Sequence, residues 1–283
     1  MTTPPPDGSR DRRIEDPSNR WIVHPFARVL LPLALRLRVS ANSVSVAGLM
    51  LGAGAALAYA QAVPAAALIG LLLSVGWLIA DGLDGMIARA TGTASPLGRF
   101  LDGLCDHGVF VLIYLALAVS VGTIEGWLLT VAAGIAHGVQ SSLYEGERTR
   151  FHRRLKGIAE VEAPSPSANP LVRWYDALAG SVGRLAMPFE ATLATSVRPH
   201  DLGRDYAAQA VAPMRLLSLL SANVRVLVIF VACLAGRPAI FWWFEIVALT
   251  AIAAIGLVWH RRVEGRFASP ANSSRGDRPS SYA

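Results

Sequence analysis

The chain predicts an all-α integral membrane protein, with six transmembrane helices behind an N-terminal interfacial amphipathic helix. Three observations carry that expectation. Several uncharged runs reach the roughly 20 residues that cross a bilayer. Of the 283 residues, 53% are hydrophobic and only 16% charged. The Lys and Arg residues gather in the segments that flank the apolar runs.

Residues 1–20 are polar and rich in Pro, Asp and Arg, with no apolar core. They read as a disordered tail and not as a cleavable signal peptide. Residues 21–38, WIVHPFARVLLPLALRLR, are apolar but short, and Arg28, Arg36 and Arg38 interrupt them. Such a helix lies in the membrane interface. Ala41–Val63 is uncharged and forms the first expected span, and Pro64–Ala80 forms the second. Leu101–Val121 gives the third, Gly126–Tyr144 the fourth, Pro213–Gly236 the fifth and Pro238–His260 the sixth. The membrane domain therefore covers 21–262, with a disordered tail at 263–283. Within it, residues 146–212 make a long polar segment. VEAPSPSANP reads there as a linker, and Leu171–Phe189 as a second interfacial helix with Leu171, Trp174, Tyr175 and Leu178 at helical spacing.

Orientation follows from the cations. Arg148, Arg150, Arg153, Arg154 and Lys156 follow the fourth span, Arg261, Arg262 and Arg266 follow the sixth, and Arg10, Arg12, Arg13 and Arg20 lie at the N-terminus. Both termini are expected in the cytoplasm, as in an inner-membrane protein. The net charge of +6 suits an anionic lipid leaflet, and no nucleic-acid partner is expected. Cys105 and Cys233 make no disulfide framework.

The stretch 81–106, DGLDGMIARATGTASPLGRFLDGLCD, bridges the second and third spans. Asp81 and Asp84 are three apart, and Asp102 and Asp106 four apart, so each pair shares one face of its helix. The connection Ala90–Pro96 is short and turn-rich and brings the two faces together. Carboxylates at a membrane boundary need a compensating partner, and a divalent cation suits their oxygens. With Arg89 beside them, the pocket suits a diphosphate bridged by two cations. A lone Asp at a span end is usually a cap or a partner of a nearby Arg. The full constellation is much harder to explain that way.

The pattern D-x-x-D-G-x-x-A-R, eight residues, then G-x-x-x-D-x-x-x-D resembles the signature of the class I CDP-alcohol phosphotransferases (CDP-alcohol phosphatidyltransferases). Asp81, Asp84, Gly85, Ala88, Arg89, Gly98, Asp102 and Asp106 all match it. The resemblance implies two Mg²⁺ or Mn²⁺ ions held by Asp81, Asp84, Asp102 and Asp106, with Asp106 as general base. It implies that Gly85, Arg89 and Ser95 contact the CDP group. A partial match to the family's P-N-x-x-T lies at 41–45, where Asn42 and Ser45 are kept near the expected cytidine; helix capping by Ser40 or Asn42 explains the same residues equally well.

The activity implied is transfer of a phosphatidyl or phospho-alcohol group from a CDP-linked donor, CDP-diacylglycerol foremost, to an alcohol acceptor with release of CMP. The resemblance also implies phospholipid biosynthesis, membrane lipids as neighbours and a homodimer. A cation transporter using the four acids as an ion site is the alternative, and against it the acids sit at one membrane face. Arg225 in the fifth span either reaches a phosphorylated acceptor or pairs with Glu245 of the sixth. His107, His137 and Gln140 read first as packing residues of a helical bundle. The cationic cluster after the fourth span reads first as a solvated cytoplasmic face.

Overall fold

The computed structural model describes residues 11–159 and 187–268, and every regular element among them is helical. The expected linker, all of the second interfacial helix before Met187 and the C-terminal tail beyond Ala268 lie outside the described residues. A π-helical turn, Asn19–Val23, leads into α1 (His24–Arg36). Then come α2 (Ala41–Tyr59), α3 (Pro64–Thr91), α4 (Pro96–Val121) and α5 (Ile124–Leu155). After the undescribed segment come α6 (Met187–Thr195), α7 (Pro199–Leu217), α8 (Ala222–Leu234) and α9 (Ala239–Phe267).

The chain divides into two compact units. The first comprises Asp16–His137 and Ser221–Ala248. Its helices are bounded by local chemistry. Ser40 caps α2, its side chain accepting from the Ser43 amide at 3.1 Å. Pro64 opens α3, where a missing N–H costs nothing. Small residues set the packing. A Cβ on Gly52 of α2 would stand 2.5 Å from Val109 Cγ1 and 2.9 Å from its Cβ on α4. Gly52→Ala should therefore destabilise the protein by about 1–3 kcal/mol through overpacking, read as a lowered melting temperature in detergent. Trp77, Phe110, Ile113, Tyr114, Phe241 and Trp242 fill the core of this unit, and Ala27 and Ala34 seat α1 on Leu83, Met86 and Ile87 of α3.

The second unit comprises Met1–Glu15, Gly138–Leu220 and Leu249–Ala283. Here α7 packs on the C-terminal half of α9 through Tyr206, Ala210, Met214 and Leu217. Gly256 accommodates the Leu217 side chain, because a Cβ there would lie 2.6 Å from Leu217 Cδ2.

Among the described residues, four helical stretches are long and apolar enough to cross a membrane: Ala41–Tyr59, Pro64–Thr91, Leu101–Val121 and Ala239–Phe267. A fifth exists if Pro199–Leu220 and Ala222–Leu234, two helices separated by a break, are taken together. The expected fifth span, Pro213–Gly236, is corrected by this break. Helix α8 has only 13 residues, about 20 Å by helical rise, well short of a 30 Å hydrocarbon core. The break is held by side chains: Ser218 Oγ donates to the Arg215 carbonyl at 2.8 Å, and Ser221 Oγ donates to Asp16 Oδ2 at 3.0 Å. The described part of the expected N-terminal tail thus contributes packing, with Ile14 and Asp16 both buried.

The expected fourth span lies within α5 but is too polar to qualify by hydropathy. Its polar residues face inward. Thr130, His137, Gln140 and Ser142 are buried, whereas Ile124, Leu128, Val131 and Ile135 are exposed.

Candidate functional site

The acidic stretch bends sharply because α3 stops at Gly92. This residue has φ +68, a left-handed conformation that glycine adopts without strain. The amide of Thr93 returns to the Ala88 carbonyl at 3.0 Å and closes the helix end. Two residues later Ser95 caps α4, its hydroxyl accepting from the Gly98 amide at 3.0 Å. The two caps, Gly92 and Ser95, stand close together in the chain, and the acid-bearing faces of both helices meet.

Asp81, Asp102 and Asp106 each offer a carboxylate oxygen within 4.8 Å of the others. Asp84, only 4% exposed, adjoins Asp102, while Asp106 adjoins Asp81. Four carboxylates in such contact repel one another unless positive charge lies among them. The donors are all oxygens, the set a hard divalent cation takes, so these residues fit such an ion. Ser45 of α2 donates its hydroxyl to Asp84 Oδ2 at 2.6 Å. Trp77 of α3 donates its indole N–H to Asp106 Oδ1 at 3.0 Å.

Beside the acids lies a cavity of about 580 Å³ whose lining includes Arg38, Asn42, Ser45, Asp84, Gly85, Arg89, Ser95 and Asp102. Gly85 leaves room for its neighbour: a Cβ there would stand 3.3 Å from Arg89 Nη1. All the positions expected to contact CDP therefore share one cavity wall. Ser40 is the residue that caps α2, and Asn42 and Ser45 face the cavity. Two neighbours of the site are not apparent from the sequence pattern. Arg38, one of several interfacial cations by sequence, lines the cavity from a left-handed backbone, φ +54. Trp77, part of an apolar run by sequence, reaches Asp106. Only its spacing, four residues before Asp81 and so on the same helical face, hints at this.

The remaining polar candidates pair elsewhere. Arg225 Nε lies 3.0 Å from Glu245 Oε1 and 3.1 Å from Oε2, both residues fully buried, so the ion-pair alternative holds. His137 packs against Phe110 at 4.3 Å, and Gln140 donates to Thr250 Oγ1 at 3.0 Å. His107 Nδ1 lies 2.7 Å from the Gly103 carbonyl of its own helix. In the second unit, Arg153 and Arg154 are not a solvated face: both bind Glu190, at 2.7 and 2.8 Å. Arg154 also binds Glu264 and stacks on Phe189 and Tyr206. His260 bridges the Glu147 carboxylate at 2.6 Å and the Tyr206 hydroxyl at 2.7 Å. Glu147, His260 and Glu264 approach metal-ligand spacing. Their oxygens, however, are already taken by Arg150, Arg154 and Arg261, and this cluster is an ion-pair network. Burial alone would raise the Glu147 carboxyl, but His260, Arg261 and Arg150 hold it well below the ordinary carboxylate range.

The fold and the site together define a helical membrane protein with a two-helix carboxylate cluster beside an arginine-lined cavity. Residues 38–146 match the family model of the CDP-alcohol phosphatidyltransferases. The family is one of transferases acting on CDP-alcohols, and it uses divalent metal ions. No curated protein and no solved structure matches the chain.

Proposed function

We propose that the chain transfers a phosphatidyl group from CDP-diacylglycerol to an alcohol acceptor, releasing CMP, as a step of phospholipid synthesis. The observation that carries this reading is the convergence of Asp81, Asp84, Asp102 and Asp106 from two helices, with Asp84 and Asp102 lining a cavity that Arg89 also lines. Two divalent cations held by the four aspartates would neutralise the diphosphate and polarise the phosphorus under attack. Arg89 binds a phosphate oxygen of the donor, and Gly85 keeps the wall low enough for the diphosphate to approach. Asn42 and Ser95 line the cytidine side. Ser45 holds Asp84 in place through its hydroxyl. Asp106 accepts the proton of the acceptor hydroxyl; the alcohol oxygen forms its bond to the β-phosphorus as the bond to CMP breaks. Most of the rate enhancement then comes from positioning and charge neutralisation.

The membrane arrangement belongs to the same proposal. Six spans result if α5 and the broken α7–α8 segment both cross. The inside-out polarity of α5, with apolar residues outward and polar ones buried, supports this. Trp21, Phe26, Val29, Leu33 and Leu37 are exposed along the first turns of the chain and α1, as an interfacial helix requires. In this reading the acids and both termini face the cytoplasm at the inner membrane, and the cationic segments at the N-terminus and after the fourth and sixth spans support it. A cation-transport role gains no support from any of these features.

The test is CMP release by the purified full chain with Mg²⁺ and labelled CDP-diacylglycerol, run against a panel of glycerol phosphate, inositol, inositol phosphate and serine. One acceptor should give CMP and a labelled phospholipid in equal amounts, and chelation should abolish both. Binding of Mg²⁺ with no CMP from any acceptor or CDP-alcohol would sink the proposal.

A further inference from the structure

Trp77 is almost fully buried, 2% exposed, yet its one polar atom is directed at the most reactive group of the proposed site. The indole N–H donates to Asp106 Oδ1 at 3.0 Å. The ring cannot swing away. On one side Gly48 of α2 brings the helix so close that a Cβ there would stand 3.3 Å from Trp77 Cδ1. On another side Phe110 meets the ring edge-on, with centroids 5.3 Å apart. Phe110 lies one helical turn beyond Asp106 in α4, and Trp77 one turn before Asp81 in α3. The two rings therefore pack together one helical turn from Asp81 and Asp106 on their respective helices.

We infer that Trp77 is a positioning residue for the transfer reaction: it fixes the Asp106 carboxylate so that Oδ2 faces the acceptor hydroxyl. An indole nitrogen only donates, so it neither takes the substrate proton nor competes for it. Its hydrogen bond occupies Oδ1 and, together with the Asp81 contact on the same carboxylate, sets the rotation about the last torsion, which is otherwise broad. When the acceptor reacts, its O–H proton passes to Oδ2, its oxygen bonds to the β-phosphorus and the phosphorus–oxygen bond to CMP breaks. Trp77 keeps its own proton throughout. A carboxylate free to rotate would still bind substrate but would meet the hydroxyl in the reactive orientation less often, so the loss falls on turnover.

This inference rests on Asp106 acting as the base in the proposed function. The decisive variant replaces Trp77 with 3-benzothienylalanine, which keeps the bicyclic shape and lacks the N–H. Trp77→Phe serves as the encoded counterpart. Turnover should fall about 10- to 100-fold while KM for the CDP-donor stays within about twofold, and the melting temperature of the benzothienyl protein should match that of the parent. Unchanged turnover in the benzothienyl protein overturns the inference, as does a fall in turnover matched by an equal rise in donor KM. If Trp77→Phe does not fold, the benzothienyl protein alone decides. Absence of CMP release from the unsubstituted chain removes the proposed function together with the inference; normal release from it, with unimpaired turnover in the analogue, removes the inference only.

Discussion

Asp106→Asn is expected to lower turnover roughly 10²- to 10⁴-fold, the range that a positioned general base supplies, and to do so without weakening the fold. The amide keeps the shape of the carboxylate and one oxygen that can still accept from Trp77 Nε1. What it loses is the capacity to take a proton. At the same time it removes one of four carboxylates packed against one another, so in metal-free buffer the variant should melt no lower than the parent. A higher melting temperature with a collapsed rate is the usual signature of a strained functional site. Rates of CMP release and melting curves, each with and without Mg²⁺, check both halves. Near-normal turnover with metal present would show that the proton goes elsewhere.

Arg154→Met is expected to have the largest effect on stability. Arg154 is 0% exposed and binds Glu190 and Glu264 at once, so it ties α5 to α6 and α9. Methionine matches much of its length but removes the buried cation that the two carboxylates share, leaving Glu190 to Arg153 and Glu264 to Arg261. Breaking a buried pair in this way costs about 3–5 kcal/mol. Arg154→Lys should recover only part of the loss, because a single ammonium cannot fork between two acids. Thermal unfolding of the full chain in detergent reads both. The same network gives an acid sensitivity of definite sign. Glu147 in the folded protein titrates below its ordinary value of 4.5. Its contribution is therefore fully present above that value and fades as pH falls through the region beneath it. Glu147→Gln should flatten this part of the stability profile.

The acidic site is legible in the sequence because its information is local. Spacings of three and four, a short turn and glycine at fixed offsets fix the geometry through the helical repeat alone. Spans α2, α3 and α4 are legible for a similar reason, since an uncharged apolar run of that length suits little besides a bilayer. The errors lie where distant residues decide. Nothing between Pro213 and Gly236 announces a break, because Ser218 and Ser221 also suit the inside of a membrane helix; the partner of Ser221 is Asp16, far earlier in the chain. Trp77 is hidden for the opposite reason. Its ring belongs to an apolar run, and only the fold shows where its N–H points. Arg225 presents two equal alternatives until Glu245 is seen beside it.

That buried pair also bears on how the chain enters the bilayer. Arg225 sits in α8 and Glu245 in α9, and the two helices are joined only by the short segment Ala235–Pro238. Threaded singly, α8 would carry an uncompensated guanidinium into lipid, at about 2.5–3.5 kcal/mol on insertion scales, and it has just 13 residues to offset this. Threaded as a hairpin, each charge brings its own counterion. Held side by side, Arg225 and Glu245 offset one another's desolvation, so neither helix carries an uncompensated charge at that contact.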